Sequence, residues 1–286
     1  MDKGVQRWAV NVSLWTPSPH QFRSCLSLLP PCERSSVVRF VNFEDQKRAL
    51  LSRLLQRKLV QFVLGLNYDC IVIEQTPEGK PYLINNVENK NLNLLSNFNF
   101  NVSHHGDYVV IVSEPMCLVG VDVMAHDTRS KDPPHKFFEV FSACFTPCEW
   151  ETILSAGPEE DMLFHQFYRF WCMKEAYIKA VGIGLGFELQ RAEFHYQDGN
   201  IWSNVAHVRI DGVHKAKWQF FLHSLDDKHW VCVAKGPPAD AIGSLIETPS
   251  GKQIDGDTCD AALTLQNKSF ILLTVEQILS TEKLAI

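Results

Sequence analysis

The sequence lacks three features that would each assign it to a well-defined class of protein: paired cysteine spacings, a membrane-length apolar run and an excess of positive charge. Its nine cysteines are scattered, and Cys144-x-x-x-Cys148 has no second ligand pair nearby, so neither a disulfide framework nor a zinc site is indicated. The most apolar stretch, from Tyr108 to Val123, is interrupted by Ser113-Glu114-Pro115, which argues against a transmembrane helix.

The charge balance excludes a further class. With a net charge of -6, the chain lacks the basic face that general nucleic-acid binding requires. Met1 to Gly4 also carries no apolar core of the kind found in signal peptides. We therefore expect a cytosolic protein with reduced cysteines and with neither nucleic-acid nor membrane partners.

What the chain does have is enough apolar residues for a large core. Its 286 residues are 45% hydrophobic, which suits one large or two small domains. Both halves follow a plan of strand, helices and antiparallel strands. We predict an α+β fold of two similar subdomains related by pseudo-two-fold symmetry, with the active site in the cleft between them. The predicted segments are residues 1–115, residues 116–236 with the central helix, and residues 237–286 as a linker and an apolar tail that docks back.

Periodicity and turn residues predict the individual elements. Helical patterns cover Glu33 to Leu66, Phe137 to Phe145, Thr146 to Ser155, and a central helix from about Glu159 to Gly182. Strand patterns cover Arg7 to Trp15, Tyr68 to Glu74, a hairpin of Phe98 to Val102 with Tyr108 to Ser113, Cys117 to Met124, and four later segments: Arg191 to Tyr196, Ala206 to Ile210, Trp218 to Leu225 and Trp230 to Ala234. Residues 85–97 are rich in asparagine and predict a loop.

The central helix carries an unusual lysine. Lys174 falls within its apolar stripe, whereas Glu175 and Lys179 lie along the edge of that stripe. A buried ammonium group requires an anionic partner, because an unpaired charge costs several kcal/mol, roughly, to bury. Glu175 and Lys179 are four residues apart, so an ordinary helix-surface ion pair is the simpler interpretation of those two.

A second isolated charge lies in the strand from Cys117 to Met124. Alternation places Asp122 on the face opposite the valines, beside Gly120, which allows another element to approach closely. A strand aspartate beside a helix glutamate commonly holds magnesium, with phosphate oxygens completing the coordination shell. Asp122 and Glu175 are therefore the predicted metal ligands.

Several basic and hydroxyl residues are candidates for binding a charged anion. Arg48, Arg53 and Arg57 recur at near-helical spacing, which also fits a solvated basic face. Lys80 follows Gly79 in a predicted turn, where lysines are usually exposed. Ser103 and His104 end a predicted strand and could donate hydrogen bonds to an anion.

Taken together, these segments resemble the 4′-phosphopantetheinyl transferase superfamily, most closely its eukaryotic aminoadipate-semialdehyde dehydrogenase type. The resemblance covers roughly Arg7 to Lys235. Its motifs are Gly79-Lys80-Pro81, Phe100-Asn101-Val102-Ser103-His104, Gly120-Val121-Asp122-Val123-Met124, and Trp171-x-x-Lys174-Glu175-x-x-x-Lys179 with the turn Gly182-x-Gly184-x-Gly186.

The resemblance implies transfer of the phosphopantetheine arm of coenzyme A to a serine of a carrier domain, with release of adenosine 3′,5′-bisphosphate. It implies catalytic roles for Asp122, Glu175 and Lys179, with Mg²⁺ on Asp122 and Glu175. Glu175 would accept the serine proton, and Lys179 would neutralise the pyrophosphate. The residues implied to bind coenzyme A are Arg34, Arg39, Arg48, Gln75, Gly79, Lys80, Asn101, Val102, Ser103, His104, Lys174, Glu175 and Lys179.

The chain departs from the family pattern at three positions. Met124 replaces an acidic residue of many bacterial relatives, which leaves one metal position to water. Ser36 stands where a charge is usual, so Arg34 or Arg39 would supply it, and Gln75 stands where a basic residue is common. The carrier domains would be of fatty acid synthase or aminoadipate-semialdehyde dehydrogenase type, and a duplicated chain suggests a monomer.

Two other functions fit some of the same residues. A non-catalytic module could bind coenzyme A or carrier proteins and retain the fold. Asp122 and Glu175 alone would also suit another magnesium-dependent phosphoester enzyme, which would turn over nucleotides without a carrier protein. The joint presence of Asp122, Glu175 and Lys179 favours the transferase.

Overall fold

The computed structural model describes residues 2–84, 98–126, 133–249, 256–265 and 267–280. The predicted loop at 85–97 lies outside the described residues. Helices and strands are mixed along the chain, as expected for the α+β class. Within these ranges, no helix combines the length and the apolar character needed to cross a bilayer.

The first half of the chain forms an antiparallel sheet covered by a long helix. Its strands are β1 (Gln6–Asn11), β4 (Asn99–His105) and β5 (Tyr108–Glu114), in the order β1-β5-β4. Its helices are α1 (Pro19–Ser27), α2 (Pro31–Val38) and α3 (Phe43–Leu64), and a small hairpin joins β2 (Ile73–Gln75) to β3 (Pro81–Leu83). The hairpin predicted between β4 and β5 is confirmed.

The second half forms a larger sheet. Its strands are β6 (Leu118–Ala125), β7 (Ala192–Tyr196), β8 (Val205–Ile210), β9 (Val213–His214), β10 (Gln219–Ser224) and β11 (His229–Gly236), and they confirm all four later strand predictions. The strand order is β6-β11-β10-β8-β7, with β9 paired to β8. Helices α4 (Pro134–Val140), α5 (Pro147–Leu154) and α6 (Glu160–Val181) accompany this sheet.

The central helix α6 matches its sequence prediction closely. It begins after Glu159 and ends at Gly182, which adopts the left-handed conformation with φ of 84°. Glycine favours such a cap because it has no Cβ to clash. The apolar face of α6 packs on the second sheet in a large aromatic core.

Residues 239–265, expected as a linker, include two short helices, α7 (Gly243–Ile246) and α8 (Gly256–Leu263). The following residues pack on the first half of the molecule. β12 (Ile271–Leu272) runs parallel to β1, and α9 (Val275–Leu279) buries Val275 and Ile278 in the core beneath α3. The apolar residues of this segment thereby leave water, which stabilises the fold.

Two sequence predictions differ from the structure near the first helices. The pattern from Glu33 to Leu66 predicted one helix, but α2 ends at Val38 and α3 begins at Phe43. Asn42 provides the reason, because its side chain accepts a hydrogen bond from the Glu44 amide and starts a new helix. In the segment predicted as a strand from Tyr68 to Glu74, residues Tyr68–Cys70 form a 3₁₀ turn and β2 begins only at Ile73.

Side chains join the two larger sheets. β4 pairs with β5, and β6 pairs with β11, but alternate side chains of β4 accept hydrogen bonds from backbone amides of β6. We call this arrangement the side-chain ladder. Its pairs are Asn99 Oδ1 with Val119 N at 3.0 Å, Asn101 Oδ1 with Val121 N at 2.9 Å, Ser103 Oγ with Val123 N at 3.4 Å, and His105 Nδ1 with Ala125 N at 2.8 Å.

Candidate active site

A polar cluster lies where the ladder meets helix α6. Asp122 on β6 is 4% exposed, and its Oδ1 accepts hydrogen bonds from Lys179 Nζ at 2.6 Å and Ser103 Oγ at 2.9 Å. Lys179 Nζ also lies 3.0 Å from Ser103 Oγ. The predicted pairing of Lys179 with Glu175 is therefore replaced by a partly buried ion pair with Asp122. This pair joins the helix to the strand.

Close packing of α6 on β6 brings these groups together. A Cβ at Gly120 would lie 2.0 Å from the Ala176 carbonyl oxygen and 2.5 Å from the Ala180 amide nitrogen. The helix backbone can therefore approach the strand only because residue 120 is glycine and the facing residues are alanines. Asp122 follows two positions later on the same face, and Lys179 precedes Ala180, so both charges occupy the same interface.

Asp122 retains one oxygen that protein groups do not use. Its Oδ2 is buried and has no hydrogen-bond partner among the described residues. Such an atom is costly to bury unless something else satisfies it. Burial and the neighbouring Asp122 carboxylate raise the pKa of Glu175, whereas Lys179 acts in the opposite direction. Asp122 and Glu175 thus lie in one partly buried site, where a bound cation would stabilise both carboxylates.

This donor set fits magnesium when phosphate oxygens and water complete the coordination. Mg²⁺ is usually bound by one or two carboxylates together with substrate phosphates, so two protein ligands suffice. Across the described ranges no group of three or more His, Cys, Asp and Glu side chains is arranged to hold a metal. Asp122 and Glu175 would therefore hold the ion only jointly with a phosphate-bearing ligand.

An open pocket of about 820 Å³ adjoins the cluster. Arg48 points into it from α3, with Nη1 donating to the Gly106 carbonyl at 2.7 Å and Nη2 paired with Asp45 at 2.5 Å. Desolvation and the positive charges of Lys179 and Arg48 lower the pKa of His104. The pocket is lined by Asp45, Arg48, His104, His105, Gly106, Asp107, Ala125, His126, Lys228 and His229.

Lys80 is buried rather than exposed at its turn. Its Nζ donates to the Lys179 carbonyl at 2.6 Å and to the Val119 carbonyl at 2.9 Å, and burial lowers its pKa to about 7. Lys80 thus caps the carboxyl end of α6, where free carbonyls favour a cation. The preceding Gly79 has φ of 95°, which the tight turn requires.

Lys174 lies apart from this cluster. Its ammonium group is 1% exposed, lies 2.8 Å from Glu149 Oε2, and donates to the carbonyls of Leu189 and Ala192 at 2.9 and 2.7 Å. The anionic partner that the sequence required is therefore Glu149 at the start of α5. These three contacts occupy all three N–H donors of the ammonium group, so Lys174 has a structural role.

The remaining predicted coenzyme A contacts occupy varied places. Arg34 donates to the carbonyls of Leu29 and Ser27 at 2.7 and 2.9 Å. Arg39 is exposed and lies over the Phe40 ring at 5.6 Å. Gln75 is exposed at the end of β2. Asn101 is buried in the side-chain ladder, and Val102 packs against the apolar core between the first sheet and α3.

Sequence reasoning missed the ladder and one wall of the pocket. Asn99, Asn101, Ser103 and His105 alternate along β4, and this period of two was a readable signal that polar groups share one face. His126, Lys228 and His229 reach the pocket from the ends of strands that are far apart in sequence. Nothing local in the sequence marks them, because their proximity depends on the pairing of β6 with β11.

Comparison with known proteins assigns most of the chain to one family. A family model described as "4′-phosphopantetheinyl transferase, N-terminal" matches residues 13–116. A second, described as "4′-phosphopantetheinyl transferase superfamily", matches residues 118–234. The first range contains Ser103, and the second contains Asp122, Glu175 and Lys179.

Curated relatives give the same assignment. The rat L-aminoadipate-semialdehyde dehydrogenase-phosphopantetheinyl transferase is 38% identical over 237 residues, which cover 81% of this chain and 75% of the rat protein. The human protein of the same name is 37% identical over 236 residues, with the same coverage. A phosphopantetheinyl transferase of Thraustochytrium sp. is 36% identical over 234 residues, covering 80% of this chain and 78% of that protein. The chain therefore belongs to the 4′-phosphopantetheinyl transferase superfamily.

Proposed function

We propose that this protein transfers the 4′-phosphopantetheine arm of coenzyme A to a serine of a carrier domain and releases adenosine 3′,5′-bisphosphate. The observation that carries the proposal is the Asp122–Lys179–Ser103 cluster, with its unsatisfied Asp122 Oδ2 and the adjacent Glu175. Family membership supports the reaction class, and the narrower description as a holo-acyl-carrier-protein synthase is part of the proposal.

The reaction exchanges one bond to phosphorus for another. The carrier serine oxygen forms a bond to the phosphorus of the pantetheine phosphate, and the bond from that phosphorus to the bridging oxygen of the leaving nucleotide breaks. The serine proton passes to Glu175, directly or through a water molecule. Its raised pKa makes Glu175 a stronger base than an exposed glutamate.

Lys179 would neutralise charge on the leaving phosphate. Its ammonium group lies against Asp122 and Ser103, and the side chain as a whole is 29% exposed, so Lys179 is not sealed within the fold. A magnesium ion on Asp122 and Glu175 would supply further neutralisation of the pyrophosphate. Arg48 and His104 face the adjoining pocket and would bind the 3′-phosphate of the nucleotide.

The proposal also covers the architecture, the carrier domains, the oligomeric state and the cellular location. Two subdomains related by pseudo-two-fold symmetry would enclose the site. The cluster combines Ser103 of β4 with Asp122 of β6, which supports a site between the two halves. The names of the rat and human relatives support carrier domains of aminoadipate-semialdehyde dehydrogenase type. Fatty acid synthase carrier domains, a monomeric state and a cytosolic location complete the proposal.

Intact-mass measurement of an apo carrier domain tests the reaction. The domain is incubated with the protein, coenzyme A and Mg²⁺, with parallel samples that contain chelator or a carrier Ser→Ala variant. We expect a gain of one phosphopantetheine arm only in the complete mixture. Glu175→Ala should abolish the gain, whereas Glu160→Ala, at an exposed position on the same helix, should retain it.

One result would refute the proposed reaction, and another would refute the role of Glu175 alone. Coenzyme A binding without any mass gain, on carrier domains of both types, would favour the non-catalytic binding module. Full activity of Glu175→Ala would remove Glu175 as the base.

A further inference from the structure

The turn between β4 and β5, formed by Gly106 and Asp107, is held from both halves of the molecule. From the first half, Arg48 Nη1 donates to the Gly106 carbonyl at 2.7 Å, and the Val12 amide donates to the Asp107 carbonyl at 2.6 Å. From the second half, His229 at the start of β11 accepts a hydrogen bond at Nε2 from the Asp107 amide at 3.2 Å. Because Gly106 and Asp107 are adjacent, a shift of Asp107 also moves the carbonyl that Arg48 contacts.

The contacts of His229 assign its tautomer. Its Nε2 accepts from a backbone amide and therefore carries no proton. Its Nδ1 lies 2.8 Å from Asp226 Oδ1, so the ring proton is on Nδ1 and is donated to the carboxylate. The same oxygen of Asp226 accepts from the His229 amide at 2.9 Å, which keeps the carboxylate beside the ring. Asp226 thereby holds the ring in the tautomer that presents a lone pair to the turn.

The imidazole ring also packs closely against the turn. The His229 side chain is 3% exposed, and its ring meets the edge of the Tyr108 ring with centroids 4.8 Å apart. A Cβ at Gly106 would lie 2.5 Å from His229 Nε2. The turn can therefore approach the ring only because residue 106 is glycine.

The turn and the ring both line the pocket that Arg48 enters. We propose that His229 is a positioning residue for the 3′-phosphate of coenzyme A: its Nε2 holds the turn, and the turn orients Arg48 through the Gly106 carbonyl. This inference rests on the proposed function, in which Arg48 binds that phosphate. It makes recognition of the nucleotide depend on a residue of the second sheet.

Two amide variants separate the roles of the two ring nitrogens. The amide of asparagine ends near the position of Nδ1, so His229→Asn can still donate to Asp226 but does not reach the Asp107 amide. The amide of glutamine ends near the position of Nε2, so the oxygen in His229→Gln can accept from Asp107. For His229→Asn we expect coenzyme A affinity to fall about 3- to 10-fold, the usual effect of losing a neutral hydrogen bond. Its affinity for 3′-dephospho-coenzyme A should stay within about two-fold of that of the unaltered protein, and His229→Gln should retain most of the affinity for both ligands.

Calorimetric titration of the full chain with each ligand measures these affinities, and circular dichroism checks folding. His223→Asn is the matched control, because His223 lies on the neighbouring strand β10, contacts Asn267 at 2.9 Å and does not line the pocket. It should leave both affinities unchanged. In transfer assays with an apo carrier domain, His229→Asn should raise the KM for coenzyme A and leave kcat unchanged, since only binding is affected.

A change at Asp226 provides a second route if His229→Asn does not fold. Asp226 is exposed in the turn before β11, and Asp226→Ala releases the ring to carry its proton on Nε2, where it cannot accept from Asp107. We expect the same preferential loss of coenzyme A affinity over 3′-dephospho-coenzyme A affinity.

The inference is wrong if His229→Asn binds coenzyme A as tightly as the unaltered protein, or if it loses affinity for the two ligands equally. It is also wrong if His229→Gln loses as much as His229→Asn, because the acceptor at Nε2 would then not matter. Binding is measured without a carrier domain, whereas the proposed reaction fails only if the unaltered protein modifies no carrier domain. The two failures are therefore distinguishable.

Discussion

The ammonium group of Lys174 lies 2.8 Å from the carboxylate of Glu149, and both side chains are almost completely buried, at 1% and 0% exposure. Glu149 also accepts hydrogen bonds from the amides of Thr146 and Phe194 at 2.8 and 2.9 Å. The pair thus connects the start of α5, the middle of α6 and strand β7. Burial raises the pKa of Glu149 and lowers that of Lys174, and each charge opposes the shift of the other.

We predict that Lys174→Met is strongly destabilising. It would leave Glu149 as a buried charge without its cation, a change that typically costs about 3–5 kcal/mol. The midpoint of urea denaturation, followed by circular dichroism, measures the effect. Lys174→Met combined with Glu149→Gln should recover part of the loss, and Lys136→Met, at an exposed position, should have little effect. A double variant no more stable than the single one would contradict this explanation.

Gly120→Ala should separate α6 from β6. Its new Cβ would lie 2.0 Å from the Ala176 carbonyl oxygen, so the helix backbone must move, at a typical cost of about 1–3 kcal/mol. Transfer activity should fall as well, because the same movement takes Lys179 away from Asp122. Gly243→Ala is the matched control, since a Cβ there meets nothing within 4 Å. Normal activity of Gly120→Ala at a temperature where it is folded would refute the packing argument.

Arg48→Gln should weaken binding of coenzyme A more than binding of its 3′-dephospho form. A hydrogen bond to a charged group contributes about 1.5–3 kcal/mol, which corresponds to roughly a 10- to 100-fold change in affinity. Calorimetric titration with both ligands measures the difference, and Arg23→Gln, at an exposed position on α1, is the control. Equal losses for the two ligands would place the 3′-phosphate elsewhere.

Stability in acid should depend on His223. Burial, followed by the positive charge of Arg7, lowers the pKa of His223 to about 4, and its Nε2 lies 2.9 Å from Asn267 Nδ2. An unfolded histidine titrates near 6.5, roughly. The unfolded state therefore binds more protons between these values. The stabilising contribution is complete above about pH 6.5 and is lost as the pH falls towards 4.

The variant His223→Gln should remove this acid-sensitive component. The difference in unfolding free energy between pH 7 and pH 4.5 should shrink by at most about 3 kcal/mol relative to the unaltered protein. Urea denaturation at a series of pH values gives this difference. His20→Gln changes an exposed histidine and should leave the pH dependence as it is. An unchanged profile for His223→Gln would show that other groups dominate.

The sequence predicted an element best where a single local signal determined its end or its faces. Gly182 ends α6 in the left-handed conformation, as a glycine directly after a helical pattern predicts. The alternation around Asp122 likewise gave the correct faces of β6, with Val121 in an apolar cluster and Gly120 against the helix. These features depend on backbone geometry that neighbouring residues determine.

Tertiary contacts determined what the sequence could not predict. The motif Trp171-x-x-Lys174-Glu175 contains two charges side by side, yet one belongs to the core and the other to the site. Helical periodicity predicted Lys174 within the apolar stripe and Glu175 at its edge, about 100° apart around the helix. Only the packing of α5 shows that the partner of Lys174 is Glu149. Lys80 is similar, because its burial depends on the carbonyls of Val119 and Lys179 far along the chain.

The pairing of Trp8 with Ile271 has a consequence for synthesis on the ribosome. Strands β1, β4 and β5 precede residue 115, whereas the outer strand and part of the core of the first sheet come from residues 271–279. Until those residues leave the exit tunnel, β1 presents an open edge, which is prone to pairing with other chains. The first sheet can therefore be completed only after residues 271–279 have been synthesised, more than 150 residues after β5.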